Sequence, residues 1–167
     1  TLDDTYAAAH AFLGWIFSMT GQHDKAVAEG EKAVTLNPNS ADSHMHFGKI
    51  LTFAGRYEES IPELKSAIRL NPIPHALYLF SLGISYALTG HLDEAIQWGE
   101  KAVRREPTSM MTHLWMAVFY SRAGRDNEAR IEAAEVLRIN PKFSLEKFVK
   151  SVTYKKQEDV EWSISAP

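Results

Sequence analysis

Residues 21–56 read GQHDKAVAEGEKAVTLNPNSADSHMHFGKILTFAGR, a stretch that runs from one turn glycine to the next. Gly21 stands in TGQ and Gly55 in AGR, and the same context returns as TGH at Gly90 and AGR at Gly124. Working outward, Gly14, Gly48, Gly83 and Ala117 keep the same register, and so do Pro38, Pro72, Pro107 and Pro141. Small residues recur at Ala26, Ser60, Ala95 and Ala129, followed seven positions later by Ala33, Ala67, Ala102 and Val136. Independent series that share a period of 34 or 35 residues define an internal repeat.

Each repeat has room for two helices joined by a tight bend. Glycine suits the bend because it takes a left-handed backbone without the Cβ penalty. Proline, preceded by Asn at Asn37, Asn71 and Asn140, stops the second helix and opens the next unit. Pro62 falls inside a second helix, where the loss of one ladder hydrogen bond predicts a kink or a 3₁₀ distortion. The units run 7–40, 41–74, 76–109 and 110–143, with His75 as a one-residue insertion.

The order of small residue, large apolar residue, turn glycine, Ala, Ala and Pro at this period resembles the tetratricopeptide repeat. That resemblance implies an all-α fold, a right-handed superhelical α-solenoid of helix hairpins with C-terminal capping helices. Residues 1–6 read as the remnant of an upstream repeat, since LDDTY at 2–6 matches LNPNS at 36–40, so the chain is expected to be cut from a longer protein. Residues 144–167 read as a capping segment, because the end of a solenoid must be covered. Ser144 is expected to cap a short helix carrying Leu145, Phe148 and Val152, and a second helix is expected over about 157–165 with Val160, Trp162 and Ile164.

The tail carries a second resemblance. Pro141, Phe143, Ser144, Leu145, Glu146 and Phe148, followed by Tyr154, Lys155, Asp159 and Glu161, resemble the segment that closes the tetratricopeptide region of bacterial class III adenylate or guanylate cyclases and related sensory regulators. Lys156 and Gln157 depart from that family's Asp-Pro. The resemblance implies that the full-length protein carries an upstream domain and serves signal transduction, with these residues as a regulatory C-terminal region.

Composition narrows the chemistry. The 167 residues are 45% hydrophobic and 23% charged, enough apolar material for a real core. A net charge of -3 supplies no global field for nucleic acid or an anionic membrane, so neither is an expected partner. There is no Cys, which removes disulfides, thiolate nucleophiles and Cys-type metal sites. No apolar run reaches the roughly 18 residues of a membrane span, and the first helix lacks the basic flank of a signal peptide. Cytoplasmic residence is the resulting expectation, with the periplasm as the alternative.

His10, His44 and His113 share one place in three units, where Leu79 stands in the other, so packing explains them better than metal coordination. The carboxylates Glu58, Glu59, Asp93, Glu94 and Glu128 lie in first turns of second helices, where negative charge favours the helix dipole. No phosphate-binding loop or nucleophile motif is present. The expectation is therefore no catalytic residue, no cofactor and no metal.

Function must then reside in surface. In tetratricopeptide arrays the first helix of each hairpin lines a concave groove, and the resemblance carries five positions of each unit onto it. The first unit supplies Ala8, Ala11, Trp15, Ser18 and Met19, and the second Asp42, Met45, Lys49, Thr52 and Phe53. The third supplies Leu77, Phe80, Ile84, Ala87 and Leu88, and the fourth Met111, Leu114, Val118, Ser121 and Arg122. A groove this apolar calls for an occupant. Three fit: a protein or peptide segment of a partner, the chain's own tail, or a second copy giving a homodimer. Trp15, Phe53 and Phe80 would supply affinity, with Lys49 and Arg122 orienting an acidic group.

Overall fold

A computed structural model describes residues 2–151 and 153–156, with side chains from residue 6 onward. Val152 and the helix expected over 157–165 lie outside the described residues. Among the described residues there are nine helices and no strand. Four hairpins pair α1 (Leu2–Met19) with α2 (His23–Leu36), α3 (Ala41–Phe53) with α4 (Tyr57–Leu70), α5 (Ala76–Leu88) with α6 (Leu92–Arg105), and α7 (Met110–Arg122) with α8 (Asp126–Ile139). The short α9 (Leu145–Ser151) follows. Residues 2–6, matched in sequence to an inter-repeat joint, extend α1 instead: Asp4 stands where the joint has proline, so nothing bars the helix.

The bends are built as the glycine series requires. Gly21, Gly55, Gly90 and Gly124 all have positive φ, from 70 to 83°. At Gly55 the amide donates to the Thr52 carbonyl at 3.1 Å and the Arg56 amide donates to the Leu51 carbonyl at 2.9 Å. This is the crossed pair of bonds that closes a helix on a left-handed residue. The second helices stop by a different device: the Asn37, Asn71 and Asn140 side chains accept from the amides two residues on, at 3.1–3.2 Å, just beyond the proline. Ser40 and Ser109 then cap α3 and α7 by accepting from Ser43 and Thr112.

The proline in α4 does not produce the expected 3₁₀ turn; the helix is α from Tyr57 to Leu70. Pro62 is the sixth residue of the helix, past the first four amides, and removes only the one ladder bond that an amide there would give to the Glu58 carbonyl. Ser60, in place of the usual Ala, is fully buried and satisfies its hydroxyl on the Tyr57 carbonyl at 2.8 Å.

The chain divides into two compact units, one built on residues up to Ile73 together with 153–156, the other on residues from Pro74 onward. In the first, Ala26, Val27, Phe47, Ile50, Leu51 and Ala54 form a buried cluster with Phe17 and Val34 packed against it. Close approach depends on glycine: a Cβ at Gly48 would stand 2.6 Å from Leu64 Cγ. In the second, Leu82, Met116, Phe119, Ala95 and Ala102 are almost wholly shielded from solvent.

The repeated histidines belong to this framework. His10, His44 and His113 on first helices each meet, through Nδ1, a glutamate 19 positions on in the second helix: Glu29, Glu63 and Glu132. The Nε2 atoms of His44 and His113 lie 2.9 Å from the carbonyls of Pro38 and Pro107. A buried imidazole with an acceptor at each nitrogen ties helix to helix and helix to joint. Burial alone would lower the His113 pKa, but the Glu132 carboxylate and the Pro107 carbonyl outweigh it and hold it above its ordinary value.

Candidate interaction surfaces

In the first unit, the C-terminal halves of α1 and α3 bring three of the expected groove residues together. Trp15 meets Phe53 edge-on with centroids 5.5 Å apart, and the Lys49 ammonium lies 3.9 Å from the Trp15 ring centroid. Burial lowers the Lys49 pKa from its ordinary 10.5 to about 8, while the ring supplies a cation–π contact. Met19 is exposed at the end of α1, whereas Met45 is buried at 4% exposure and contributes to the interior.

Residues 153–156 cross this surface. The Tyr154 ring stacks on Phe53, centroids 4.5 Å apart and planes 6° from parallel. The Lys155 amide donates to the Phe53 carbonyl at 2.9 Å, and the Thr153 hydroxyl donates to the Ser18 carbonyl at 3.0 Å. Both acceptors sit in final turns, where helix carbonyls outnumber their intrahelical donors. The Lys155 ammonium pairs with Asp24 at 3.0 Å, which holds the Asp24 carboxyl below its usual range. Lys156 lies 5.1 Å from the centroid of Tyr57. His23, beside Asp24 in the chain, is lowered in pKa by burial and then by the Lys155 charge.

In the second unit, Ile84 and Leu114 are buried, and Leu77, Phe80, Leu88, Met111, Val118 and Arg122 are half-buried. Leu114 and Val118 line an apolar cleft of about 440 Å³ with Ala129, Ala133, Val136 and Leu137 of α8 and with Phe143 and Leu145. Ile131 and Leu137 of α8 stay exposed at 64% and 53%. The sequence named the tail as one possible occupant without naming its residues, because 153–156 carry no periodic signal. The histidine partners left a signal that could have been read: Glu29, Glu63 and Glu132 recur in register, and Trp98 replaces the glutamate in the unit where Leu79 replaces the histidine.

Among the described residues no group of three or more His, Cys, Asp or Glu side chains is gathered as for a metal ion, and no helix is long and apolar enough to cross a membrane. What the surfaces offer is apolar area, ring faces, helix-end carbonyls and a carboxylate, the equipment of binding.

Family models described as tetratricopeptide repeat match residues 7–40 and 47–110. The chain is thus built of tetratricopeptide repeats, and its all-α hairpin architecture is the fold of that class. The similar solved structures include TTC0263, a thermophilic tetratricopeptide-repeat protein of Thermus thermophilus. It is 25% identical, with 87% of this chain and 79% of that one covered and a TM-score of 0.74. MamA residues 41 to the end from Desulfovibrio magneticus RS-1 is 21% identical over 81% of this chain and 76% of that one, with a TM-score of 0.71. YrrB, described as a tetratricopeptide-repeat protein with an unusual peptide-binding site, is 18% identical over 94% and 80%, with a TM-score of 0.64. A comparison with curated proteins finds no match.

Proposed function

We propose that this chain is a non-catalytic scaffold that holds a protein or peptide segment, or a second copy of itself, on the apolar faces of its first helices. The observation that carries the reading is the engagement of residues 153–156, a non-helical segment held by ring stacking on Phe53, helix-end carbonyls and Asp24. A surface that grips one such segment has the chemistry to grip another. YrrB, similar in fold, is known as a tetratricopeptide-repeat protein with an unusual peptide-binding site, which is in keeping with it.

In this reading Trp15, Met19 and Phe53 give the first unit its apolar contact and Leu77, Phe80, Leu88 and Met111 the second, with Lys49 and Arg122 meeting acidic groups. The test is capture by the purified chain, with Phe53→Asp and Phe80→Asp compared against the natural sequence and helicity followed by circular dichroism. Loss of capture with helicity retained supports the proposal, and unchanged capture by both variants overturns it. Light scattering across a concentration series separates a partner from a second copy. The resemblance of the tail to cyclase C-terminal regions supports a place in a larger bacterial signalling protein, the alternative being a regulatory region of a nucleotide cyclase. The reading frame upstream of Thr1 decides between them.

A further inference from the structure

The contacts made by residues 153–156 are specific in kind. The ring of Tyr154 lies flat on Phe53, which itself braces Trp15, so an aromatic side chain is favoured at this point over an aliphatic one. The next residue is fixed twice, by its backbone amide on the Phe53 carbonyl and by its ammonium on Asp24. The site lies where α1 and α3 end, and the negative ends of two helix dipoles favour a cation there. Asp24 is fully open to a ligand, its side chain 95% exposed, so the carboxylate is available to whatever segment lies on Phe53. A preceding hydroxyl donates to Ser18, and a second cation follows over Tyr57. Read as a recognition code, the site takes hydroxyl, aromatic, cation, cation, and Thr153, Tyr154, Lys155 and Lys156 supply it.

Resting on the scaffold reading, we propose that residues 153–156 are a built-in competitor for a peptide site on the first unit. The site selects a non-helical segment with an aromatic residue followed by a basic one, and a partner segment of that pattern binds by displacing the tail. The tail is attached to its site and acts at a high effective concentration, so it suppresses any weak ligand and admits only one that matches the pattern well.

The experiment uses the full chain and a fluorescent peptide of residues 150–157, KSVTYKKQ, followed by anisotropy. The tail is released by Tyr154→Ser with Lys155→Ser, two changes that leave the helices untouched and leave no charge at 155 to pair with a lysine at 24. The expected result is binding about tenfold or more tighter to the released chain than to the natural one. Adding Asp24→Lys to the released chain, or replacing the peptide's tyrosine by serine, should remove the gain. Equal binding to both chains, or to neither, overturns the proposal, as does binding that survives Asp24→Lys. A natural chain that is dimeric by light scattering and becomes monomeric on release of the tail also overturns it, since the occupant is then the tail of a second copy. If capture depends on Phe53 and Phe80 while the peptide discriminates nothing, the scaffold reading stands and the tail inference falls.

Discussion

Lys49 is a cation moved out of water with a ring, rather than a carboxylate, for company. Its pKa of about 8 means that the folded chain disfavours the charge that the unfolded chain keeps up to about 10.5. Between those values the unfolded state binds the extra proton, so the stability of the natural chain rises with pH through that window. Below about pH 8 the whole cost is present, at most about 3 kcal/mol and partly offset by the ring contact. Lys49→Met should therefore stabilise the chain by about 1 kcal/mol at pH 7. Denaturant melts should show the advantage shrinking as pH climbs towards 10.5. A destabilised variant, or a gain unchanged across that range, would be the wrong outcome. At this scale the sequence was half legible: the interchange of His10, His44 and His113 with Leu79 marked them as framework, yet the matched exchange of glutamate for Trp98 went unread. A buried imidazole is understood through its partner, and the partner is found only by reading two registers together.

At the scale of elements nearly everything was legible, because each signal acts locally. A turn glycine needs only its own backbone angle, and an Asn-Pro joint only the next two amides. The exceptions are residues 2–6, which extend α1, and Pro62, whose single missing ladder bond leaves α4 an α-helix. Two glycine positions that look alike in sequence separate here. A Cβ at Gly48 would crowd the Leu64 side chain and reach 3.3 Å from its backbone nitrogen, whereas at Gly90 nothing lies within 4 Å and φ is +83°. Gly48→Ala should cost about 1–3 kcal/mol by overpacking. Gly90→Ala should cost about 1–2 kcal/mol by backbone strain. Thermal melts distinguish the causes: Gly90→Asn should recover part of the loss, since Asn tolerates the left-handed region, and Gly48→Asn should recover none. Equal behaviour at the two sites would contradict this division.

For the molecule as a whole, the period announced four hairpins and the structure adds their division into two units. What covers the apolar faces was not legible. Repeats advertise themselves by recurrence, while residues 153–156 occur once and bind through a stacked ring, two hydrogen bonds, an ion pair and a cation over Tyr57. Such contacts leave no pattern in a single chain. They also differ from the rest in reach: His44 and Glu63 are 19 positions apart, whereas Thr153 and Ser18 are separated by 135. The hairpins can form from near neighbours at little cost in chain entropy, but the tail must wait until its distant site exists. In kinetic terms it is the last contact made and the first released, a separate cooperative step at the low end of the stability scale. Hydrogen exchange should show it directly, with the Lys155 amide exchanging well before the interior amides of α3 although it has a 2.9 Å acceptor. Protection equal to theirs would make the tail part of the global fold. The order of events would then have a use in the proposed competition: a segment that opens without unfolding its host would let a partner take its place while the repeats stay intact.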